Sequence, residues 1–261
     1  MKAVIVAAGR GSRLRPHTDT APKCLLPFAG RRLVDWQIAA LRSHGIEDIG
    51  IVGGYKVEAL ADLGLRIWEN SRWHETNMVY SLLRAREVLE SGADIIISYG
   101  DIVYEPRVLA ALLATEGDIA VVVDRNWEAL WTLRHEDPLG DAESLKMSPE
   151  GRLLEIGRKI DSLAEAEAQY IGLFRLSAEG ARRLVTFYDA AAPDGAWLMG
   201  RTRETCYMTD LLRGMIEAGD VLVAAPVDGG WLEFDTGEDI EAYRRLLADG
   251  GLDRFFRPWM E

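Results

Sequence analysis

The chain has few of the residues that build disulfide-linked or zinc-stabilised proteins. Its 261 residues include two cysteines, Cys24 and Cys206, which lie far apart, and four histidines without a common spacing. Neither a disulfide framework nor a structural zinc site is therefore expected, and a reducing compartment, the cytoplasm, fits best. The sequence also lacks the Gly-x-Ser-x-Gly turn that is typical of many serine hydrolases.

Long hydrophobic runs are missing as well. No apolar stretch approaches the roughly 18 residues that a membrane-spanning helix needs. The short apolar run near the start is followed at once by arginines and by no small-residue cleavage site, which favours a buried strand over a signal peptide. A formal net charge of −12 disfavours anionic partners, so we expect neither nucleic acid nor a membrane surface to be bound. The oligomeric state stays open, and a homodimer is among the alternatives.

Positive charge is scarce overall but is concentrated near the start of the chain. Residues 1–33 contain seven basic side chains and one acidic side chain, a net charge of +6, so the other 228 residues carry −18. This distribution excludes a long polyanion as partner but is compatible with a small anionic substrate bound near the start. The basic residues are Lys2, Arg10, Arg13, Arg15, Lys23, Arg31 and Arg32.

Short apolar runs alternate with amphipathic stretches in the first half of the chain. Buried strands are predicted at 3–8, 49–52, 95–99 and 119–123, and apolar residues recur at helical spacing over 34–41 and 78–89. Strand–helix alternation predicts an α/β fold, with a Rossmann-like, mixed and mostly parallel sheet that is flanked by helices.

The pattern changes after about residue 125. A turn signal at 148–151 between two apolar segments predicts a hairpin from strands 145–147 and 153–156. No linker-like stretch sets this part apart, so we expect a single domain over 1–261, with a small acceptor-side lid region at about 125–175 and 195–210. The remaining predicted elements are strands at 170–176, 221–225 and 231–234 and helices at 178–190, 207–218 and from 238.

A basic, glycine-containing loop directly follows the first predicted strand. It reads Gly9-Arg10-Gly11-Ser12-Arg13-Leu14, and Pro22-Lys23-Cys24-Leu25-Leu26-Pro27 comes soon after it. Ligands of open α/β sheets bind beyond the carboxyl ends of strands, and glycines there let backbone N–H groups approach an anion. The loop lacks the Gly-Lys-Ser/Thr ending of a Walker A motif, and Leu14 replaces the third glycine of a dinucleotide-binding motif.

These two segments, together with Ala7-Ala8 before them, resemble the signature of the nucleotidyltransferases that activate sugar phosphates and related phosphorylated alcohols. Residues 75–81, 124–127 and 231–235 resemble the cytidylyltransferases that act on phosphocholine or 2-aminoethylphosphonate. The resemblance implies a Mg²⁺-dependent transfer of CMP from CTP to such an acceptor, with release of pyrophosphate. A sugar-1-phosphate nucleotidylyltransferase is the nearest alternative, and a non-catalytic nucleotide-binding or regulatory domain is the second.

Two carboxylates are candidates for the metal site. Asp101 and Asp235 each follow a predicted strand, so both are expected at strand ends facing the crevice of the glycine loop. Carboxylates that hold Mg²⁺ offset the repulsion between two phosphate-bearing substrates. The resemblance identifies the two residues as the metal-binding pair of the family. A turn role for Asp101 and a role at the start of the following helix for Asp235 are the structural alternatives.

Two basic residues are predicted to act in catalysis. Lys23 would stabilise the charge that develops on the α-phosphate during transfer, and Arg13, with the backbone of residues 9–13, would hold the β- and γ-phosphates. Thr76, Asn77 and Ser81 are the candidates for contacts with the base, although Thr76 or Asn77 could instead cap the helix that starts there. The remaining predicted nucleotide-binding residues are Ala8, Gly9, Arg10, Gly11, Ser12 and Gly100.

The acceptor side is predicted from weaker similarity and from residue chemistry. Lys159 lies where the family often has a lysine that binds the acceptor phosphate, and a surface lysine is the alternative. Aromatic rings attract ammonium groups by about 0.5–2 kcal/mol, and acidic side chains add a counter-charge. Core packing is the alternative for each tryptophan. The predicted acceptor-binding residues besides Lys159 are Trp127, Trp131, Gln169, Tyr170, Tyr207, Asp141 and Glu233.

Overall fold

A computed structural model describes residues 1–192 and 195–259, and its centre is a sheet of seven strands. The strands of the chain are β1 (Lys2–Ala7), β2 (Pro27–Phe28), β3 (Arg31–Arg32), β4 (Asp48–Gly53), β5 (Arg66–Glu69), β6 (Ile95–Tyr99), β7 (Ile102–Tyr104), β8 (Ile119–Asp124), β9 (Glu143–Met147), β10 (Leu153–Lys159), β11 (Gln169–Leu176), β12 (Leu222–Val227) and β13 (Trp231–Glu233). The α-helices are α1 (Leu33–Arg42), α2 (Met78–Leu82), α3 (Arg86–Leu89), α4 (Pro106–Ala114), α5 (Trp127–Arg134), α6 (Ala178–Ala190), α7 (Met208–Glu217) and α8 (Gly237–Asp249).

The central sheet is mixed and mostly parallel, which confirms the predicted fold class. Its strand order is β12-β8-β11-β6-β1-β4-β5. Strand β1 pairs in parallel with β4 and β6, and β8 pairs in parallel with β12. Strand β11 runs antiparallel between β6 and β8. Three further antiparallel strand pairs lie outside this sheet in the described part of the chain: the hairpin β9–β10, the pair β7–β13 and the short pair β2–β3.

Helices cover both faces of the sheet because its strands are apolar on both sides. Alternate residues of β1 belong to different cores: Ala3 and Ile5 pack with α1, α4, α5 and α8, whereas Val4 and Val6 pack with α2, α3, α6 and α7. The two cores hold the strands in fixed positions. The loops after β1 and β6 meet at the carboxyl ends of these two strands.

The structure differs from the predicted elements in a few places. The apolar period over 78–89 predicts one helix, but the segment is split into α2, a 3-10 turn at Leu83–Ala85 and α3. The hairpin around 148–151 is confirmed as β9 and β10. No helix of the described part of the chain is both long enough and apolar enough to span a bilayer. The single domain and the lid stay predictions, and residues 193, 194, 260 and 261 of the predicted domain lie outside the described residues.

Candidate active site

The loop after β1 turns tightly at Gly11, and this turn places it against Lys23. Gly11 has a φ of 67°, in the left-handed region, and the 3-10 turn Ser12–Leu14 follows it. The hydroxyl of Thr18 donates to the carbonyl of Gly11 at 2.9 Å, and Leu14 is completely buried. A Cβ atom at position 11 would lie 3.2 Å from Cβ and from Cδ of Lys23. Glycine therefore permits both the backbone conformation and the close approach.

Gly100 brings the carboxyl end of β6 against the end of β1. Its backbone N–H donates to the carbonyl of Val6 at 2.9 Å. A Cβ atom at position 100 would lie 2.5 Å from Cβ of Ala7, which is closer than real side chains approach. The absence of a side chain at Gly100 thus sets Asp101, the next residue, beside the glycine loop, as expected from its place after a strand.

Lys23 bridges the two predicted metal-binding carboxylates. Its ammonium donates to Oδ2 of Asp101 at 2.8 Å and to Oδ1 of Asp235 at 2.7 Å. Burial alone would lower the pKa of Lys23, but the two carboxylates outweigh burial and raise it. Burial would also raise the pKa of Asp235, but Lys23, Arg13 and Arg134 hold it at about 2. The site is therefore an ionised cluster in which an ammonium lies between two carboxylates.

The carboxylates of Asp101, Glu233 and Asp235 form a cluster that fits a divalent cation. One ligand atom from each of the three lies within 4.8 Å of the others. The second oxygen of Asp101 is buried and has no hydrogen-bond partner in the described part of the chain. Hard carboxylate oxygens are the ligands that Mg²⁺ prefers, so the donor set suits this ion. Glu233, predicted to face the acceptor, lies in this cluster instead, because β13 ends next to Asp101.

Arg134, which the sequence analysis did not select, neutralises this cluster from within the protein. Its side chain is completely buried and bonds to three carboxylates, those of Glu233, Asp235 and Asp239. Burial raises the pKa of Glu233 to about 8, and Arg134 acts against that shift. Arg134 lies seven residues after Trp127 on the buried face of α5. A basic residue in register with an apolar helical stripe is a signal of a buried ion pair.

A cleft of about 310 Å³ connects the carboxylate cluster with the predicted base-binding residues. Two residues here, Trp73 and Asn70, were not predicted from the sequence as site residues. Trp73 lines the cleft, and the buried amide of Asn70 donates to the hydroxyls of Thr76 at 2.9 Å and Ser81 at 3.0 Å. The predicted residues that line the cleft are Ala8, Gly9, Gly11, Ser12, Arg13, Lys23, Thr76, Asn77, Ser81, Gly100, Asp101 and Asp235.

Two predicted nucleotide-binding residues have structural contacts of their own. Asn77 is the N-cap residue of α2, and its side-chain oxygen accepts from the backbone N–H of Met78 at 2.9 Å. The capping alternative is thus realised while Asn77 also lines the cleft. Arg10 does not line the cleft: it pairs with Asp19 at 3.3 Å and lies over the ring of Tyr55.

The predicted acceptor role of Trp127 and Trp131 requires correction. Both side chains are 4% exposed and pack edge to face with ring centroids 5.7 Å apart, so their faces are covered by the core. Gln169 is also structural, because its amide group exchanges hydrogen bonds with the backbone N–H and carbonyl of Glu143. Tyr170 packs against Tyr99 with ring centroids 5.7 Å apart.

The other predicted acceptor residues are not brought into the cleft. Tyr207 is 46% exposed at the start of α7, with the guanidinium of Arg201 over its ring at 4.5 Å. Asp141 faces His135 at 3.4 Å. Lys159 is exposed at the end of β10, where it pairs with Glu143 in the strand register. Their roles stay predictions.

A second acidic group surrounds Glu143 and includes Asp141, which was predicted to bind the acceptor. Burial raises the pKa of Glu143 to about 7, and the nearby carboxylates of Asp210 and Asp141 add to the shift, while Thr209 and Arg201 oppose it. Besides burial, the negative charge of Glu143 contributes to raising the pKa of Tyr99 and Tyr170, and the charge of Asp101 raises the pKa of the same two tyrosines. Glu143 and Asp101 thus both lie within electrostatic range of this tyrosine pair.

Comparison with known proteins gives a consistent picture. The chain is similar to the CTP:phosphoglutamine cytidylyltransferase of Campylobacter jejuni, with 38% identity over 92% of this chain and 98% of that protein. It is 27% identical to the choline-phosphate cytidylyltransferase of Streptococcus pneumoniae, over 95% of this chain and 99% of that protein. A 2-aminoethylphosphonate cytidylyltransferase of Lancefieldella rimae is 36% identical over 40% of this chain and 47% of that protein.

Solved structures share the fold. A CTP:phosphocholine cytidylyltransferase from Streptococcus pneumoniae superimposes with a TM-score of 0.68 and 23% identity, over 95% of this chain and 98% of that one. An inositol-1-phosphate CTP transferase from T. maritima gives a TM-score of 0.71 and 21% identity, with 98% of both chains covered. Residues 3–166, more than half of the chain, match the model of the MobA-like NTP transferase domain. The chain therefore belongs to the family of MobA-like NTP transferase domains, and the predicted nucleotidyltransferase resemblance is confirmed.

Proposed function

We propose that the protein is a cytidylyltransferase that joins CMP from CTP to a small phosphate or phosphonate carrying an amino or ammonium group. The observation that carries the proposal is the position of Lys23, which is held between Asp101 and Asp235 at the mouth of the glycine loop. A transfer between two anions needs positioning and charge stabilisation, and this arrangement supplies both.

In the proposed reaction an oxygen of the acceptor phosphate or phosphonate attacks the α-phosphorus of CTP. The bond from that phosphorus to the bridging oxygen of the β-phosphate breaks, and pyrophosphate leaves. The backbone of residues 11–13 and the Arg13 guanidinium would hold the leaving phosphates, and Lys23 would stabilise the charge on the α-phosphate. Mg²⁺, when bound by Asp101, Glu233 and Asp235, would neutralise charge on the phosphates.

The pocket beside the glycine loop is suited to a pyrimidine. The hydroxyls of Thr76 and Ser81 are oriented by one buried amide, that of Asn70, and the indole of Trp73 lines the same cleft. The Thr76 hydroxyl donates to the carbonyl of Arg72 at 2.8 Å and the Ser81 hydroxyl to the carbonyl of Asn77 at 3.2 Å. Each hydroxyl therefore keeps one free lone pair, which could accept from the amino group of cytosine. CTP as the nucleotide is further supported by the names of the three relatives described above, which are cytidylyltransferases.

The acidic group around Glu143 supports a cationic acceptor. Burial raises the pKa of Glu143, and the negative charges of Asp210 and Asp141 raise it further. An ammonium group placed there would relieve this repulsion, as a neutral sugar would not. Phosphoglutamine, phosphocholine and 2-aminoethylphosphonate, the acceptors in the names of the relatives, all carry such a nitrogen. Phosphoglutamine is the acceptor to test first, because that relative is similar over nearly its whole length.

The proposal is tested by measuring pyrophosphate release with each of the four nucleoside triphosphates against a panel of acceptors. The panel holds phosphoglutamine, phosphocholine and 2-aminoethylphosphonate, with glucose 1-phosphate as the acceptor that lacks a cation. We expect turnover with CTP and at least one of the three acceptors that carry an ammonium group. For glucose 1-phosphate we expect a kcat/KM at least tenfold lower. Preference for the sugar phosphate, or for another nucleotide, would contradict the proposal.

A further inference from the structure

We infer that Arg134 is a positioning residue that fixes Glu233 and Asp235 in the orientation in which they hold the divalent cation of the reaction. The inference rests on the proposed function, because it concerns the same site. Arg134 lies on α5, about a hundred positions before the two carboxylates in sequence. It would act on the cation through these carboxylates and not by direct contact.

The guanidinium of Arg134 contacts the cluster through three different nitrogens. Nη1 donates to Oε2 of Glu233 at 2.6 Å, Nη2 to Oδ2 of Asp235 at 3.2 Å, and Nε to Oδ1 of Asp239 at 3.2 Å. Because the guanidinium is planar and rigid, three simultaneous bonds fix the relative positions of the three carboxylates. A flexible ammonium could not impose the same geometry.

The bonds of Arg134 leave the opposite oxygen of Asp235 facing the cleft. Arg134 binds Oδ2 of Asp235, whereas Oδ1 binds Lys23 at 2.7 Å. The arginine side chain is completely buried, so it approaches the cluster from the protein interior. This is the arrangement of an outer partner that orients a metal ligand by holding the oxygen that does not face the metal.

The third contact of Arg134 extends the same control to the backbone. The other oxygen of Asp239 accepts from the backbone N–H of Asp235 at 2.7 Å and from that of Thr236 at 2.9 Å. The ring of Trp131, one turn earlier on α5, lies 5.4 Å from the guanidinium and limits its movement. Arg134 therefore links α5, the end of β13 and the start of α8 at the point where two candidate metal ligands lie.

Two variants of Arg134 separate positioning from the other roles that a buried arginine could have. Arg134→Met removes the charge and the hydrogen bonds, and Arg134→Lys keeps the charge but loses the planar fork. If Arg134 acted only as a counter-charge, its removal would leave the site more negative and would strengthen cation binding. If it only stabilised the fold, cation binding by the folded fraction would not change. Positioning predicts weaker binding in both variants.

The experiment measures Mn²⁺ binding in the presence of CTP, from the electron paramagnetic resonance signal of the free ion, and the Mg²⁺ dependence of turnover. We expect Arg134→Met to weaken Mn²⁺ binding by about 10–100-fold, the usual effect of losing an outer partner of a metal site. We expect Arg134→Lys, which should fold readily, to weaken it at least about tenfold. Both variants should need correspondingly more Mg²⁺ for half-maximal turnover.

Arg175→Met is the matched control. Arg175 is also buried and donates to the carbonyls of Thr115 at 2.7 Å and Gly117 at 3.0 Å, away from the cleft. It should lose stability and keep the Mn²⁺ affinity of the wild type. Unchanged or tighter Mn²⁺ binding in Arg134→Lys would overturn the inference, even if Arg134→Met does not fold. Weaker Mn²⁺ binding in the Arg134 variants, together with a wild-type enzyme that turns over none of the acceptors, would support the inference and refute the proposed substrates. A wild-type protein that binds no Mn²⁺ would refute the metal site itself.

Discussion

Lys23 lies between two carboxylates, and this position determines what its loss should cost. Removing the ammonium leaves Asp101 and Asp235 facing each other, and it removes the charge next to the expected α-phosphate. We expect Lys23→Met to lower turnover by about 10²–10³-fold, the usual effect of losing one group that stabilises transition-state charge. Stability should fall by about 1–3 kcal/mol, because two partly buried carboxylates lose their partner.

Pyrophosphate release at saturating substrate and urea denaturation measure the two effects of Lys23→Met. Lys146→Met is the control, since Lys146 is exposed on the hairpin. It should change neither quantity appreciably. A Lys23→Met enzyme with wild-type turnover would contradict the proposed charge stabilisation and leave Lys23 with a structural role alone.

Glu143 gives a prediction that depends on pH. Its pKa is about 7 in the folded protein, against the ordinary 4.5 that it regains on unfolding. Between these values the folded state holds the extra proton, so the contribution of Glu143 to stability falls as pH rises from 5 to 8. Glu143→Gln removes this contribution. We therefore expect the variant to gain stability relative to the wild type at pH 8 and not at pH 5, as measured by urea denaturation at both values.

Ionisation of Glu143 lowers stability, but it should improve the use of an acceptor that carries an ammonium group. An ionised Glu143 attracts an ammonium group, so the ratio of wild-type to Glu143→Gln kcat/KM for the cationic acceptor should rise severalfold between pH 6 and pH 8. Taking the ratio cancels the ionisation of the acceptor itself. Glu150→Gln, on the exposed hairpin turn, should give a flat ratio. A flat ratio for Glu143→Gln as well would remove the acidic group from the acceptor site.

Residues within local motifs could be predicted from the sequence, and residues that act through distant contacts could not. Lys23 lies within a recognisable motif, and Asp101 and Asp235 follow predicted strands, so all three are predictable as site residues. The structure brings them together. Arg134 meets Asp239 across 105 positions of the chain, so only its place on an apolar helical stripe could have indicated it. Trp127 lies on the same stripe, which explains why it packs in the core and does not face the acceptor.

At the scale of elements, the turn at Gly11 controls the shape of the loop that we predict to bind the phosphates. Gly11→Ala would force alanine into the left-handed region and would place Cβ 3.2 Å from the Lys23 side chain. We expect a stability loss of about 1–2 kcal/mol from the backbone conformation. Because the clash pushes on Lys23, turnover should also fall, by at least about tenfold. Urea denaturation and pyrophosphate release measure the two effects.

Gly64 provides a matched control for the loop. Its φ is 64°, nearly the value at Gly11, and an added Cβ would meet no atom within 4 Å. Gly64→Ala should therefore lose similar stability while turnover stays unchanged. If both variants lost turnover equally, backbone strain alone would explain the result, and the contact between the loop and Lys23 would have no catalytic weight.

The limits of prediction are also visible at this scale. Apolar runs predict strands but not their direction, so the antiparallel β11 in the middle of the sheet could not be foreseen. Apolar spacing over 78–89 predicts a buried helical face, but it does not reveal the 3-10 turn that splits the segment. The hairpin β9–β10 was predictable because its turn residues, with Gly151 at a φ of 80°, act locally.

For the molecule as a whole, the structure revises the meaning of the basic start of the chain. Only Arg13 and Lys23 of its seven basic residues line the cleft. Arg10 and Arg15 both pair with Asp19, Arg32 pairs with Asp35, and Arg31 lies 4.8 Å from the ring of Trp36. The net charge of the segment indicated an anion site correctly, but most of that charge is paired within the protein. A cytoplasmic location and a homodimer stay predictions.

The predicted single domain implies that the two cores unfold together. The two cores share the strands of one sheet, so neither face can lose its packing without exposing the other. Trp36 reports on one core and Trp68 and Trp73 pack against the other. We therefore expect urea denaturation curves from tryptophan fluorescence and from far-ultraviolet circular dichroism to coincide in one transition. CTP and Mg²⁺ at about a hundred times their dissociation constant should raise the unfolding free energy by about 2.7 kcal/mol and shift both curves together. Two separate transitions, or a ligand effect on one curve alone, would show that the two cores unfold independently.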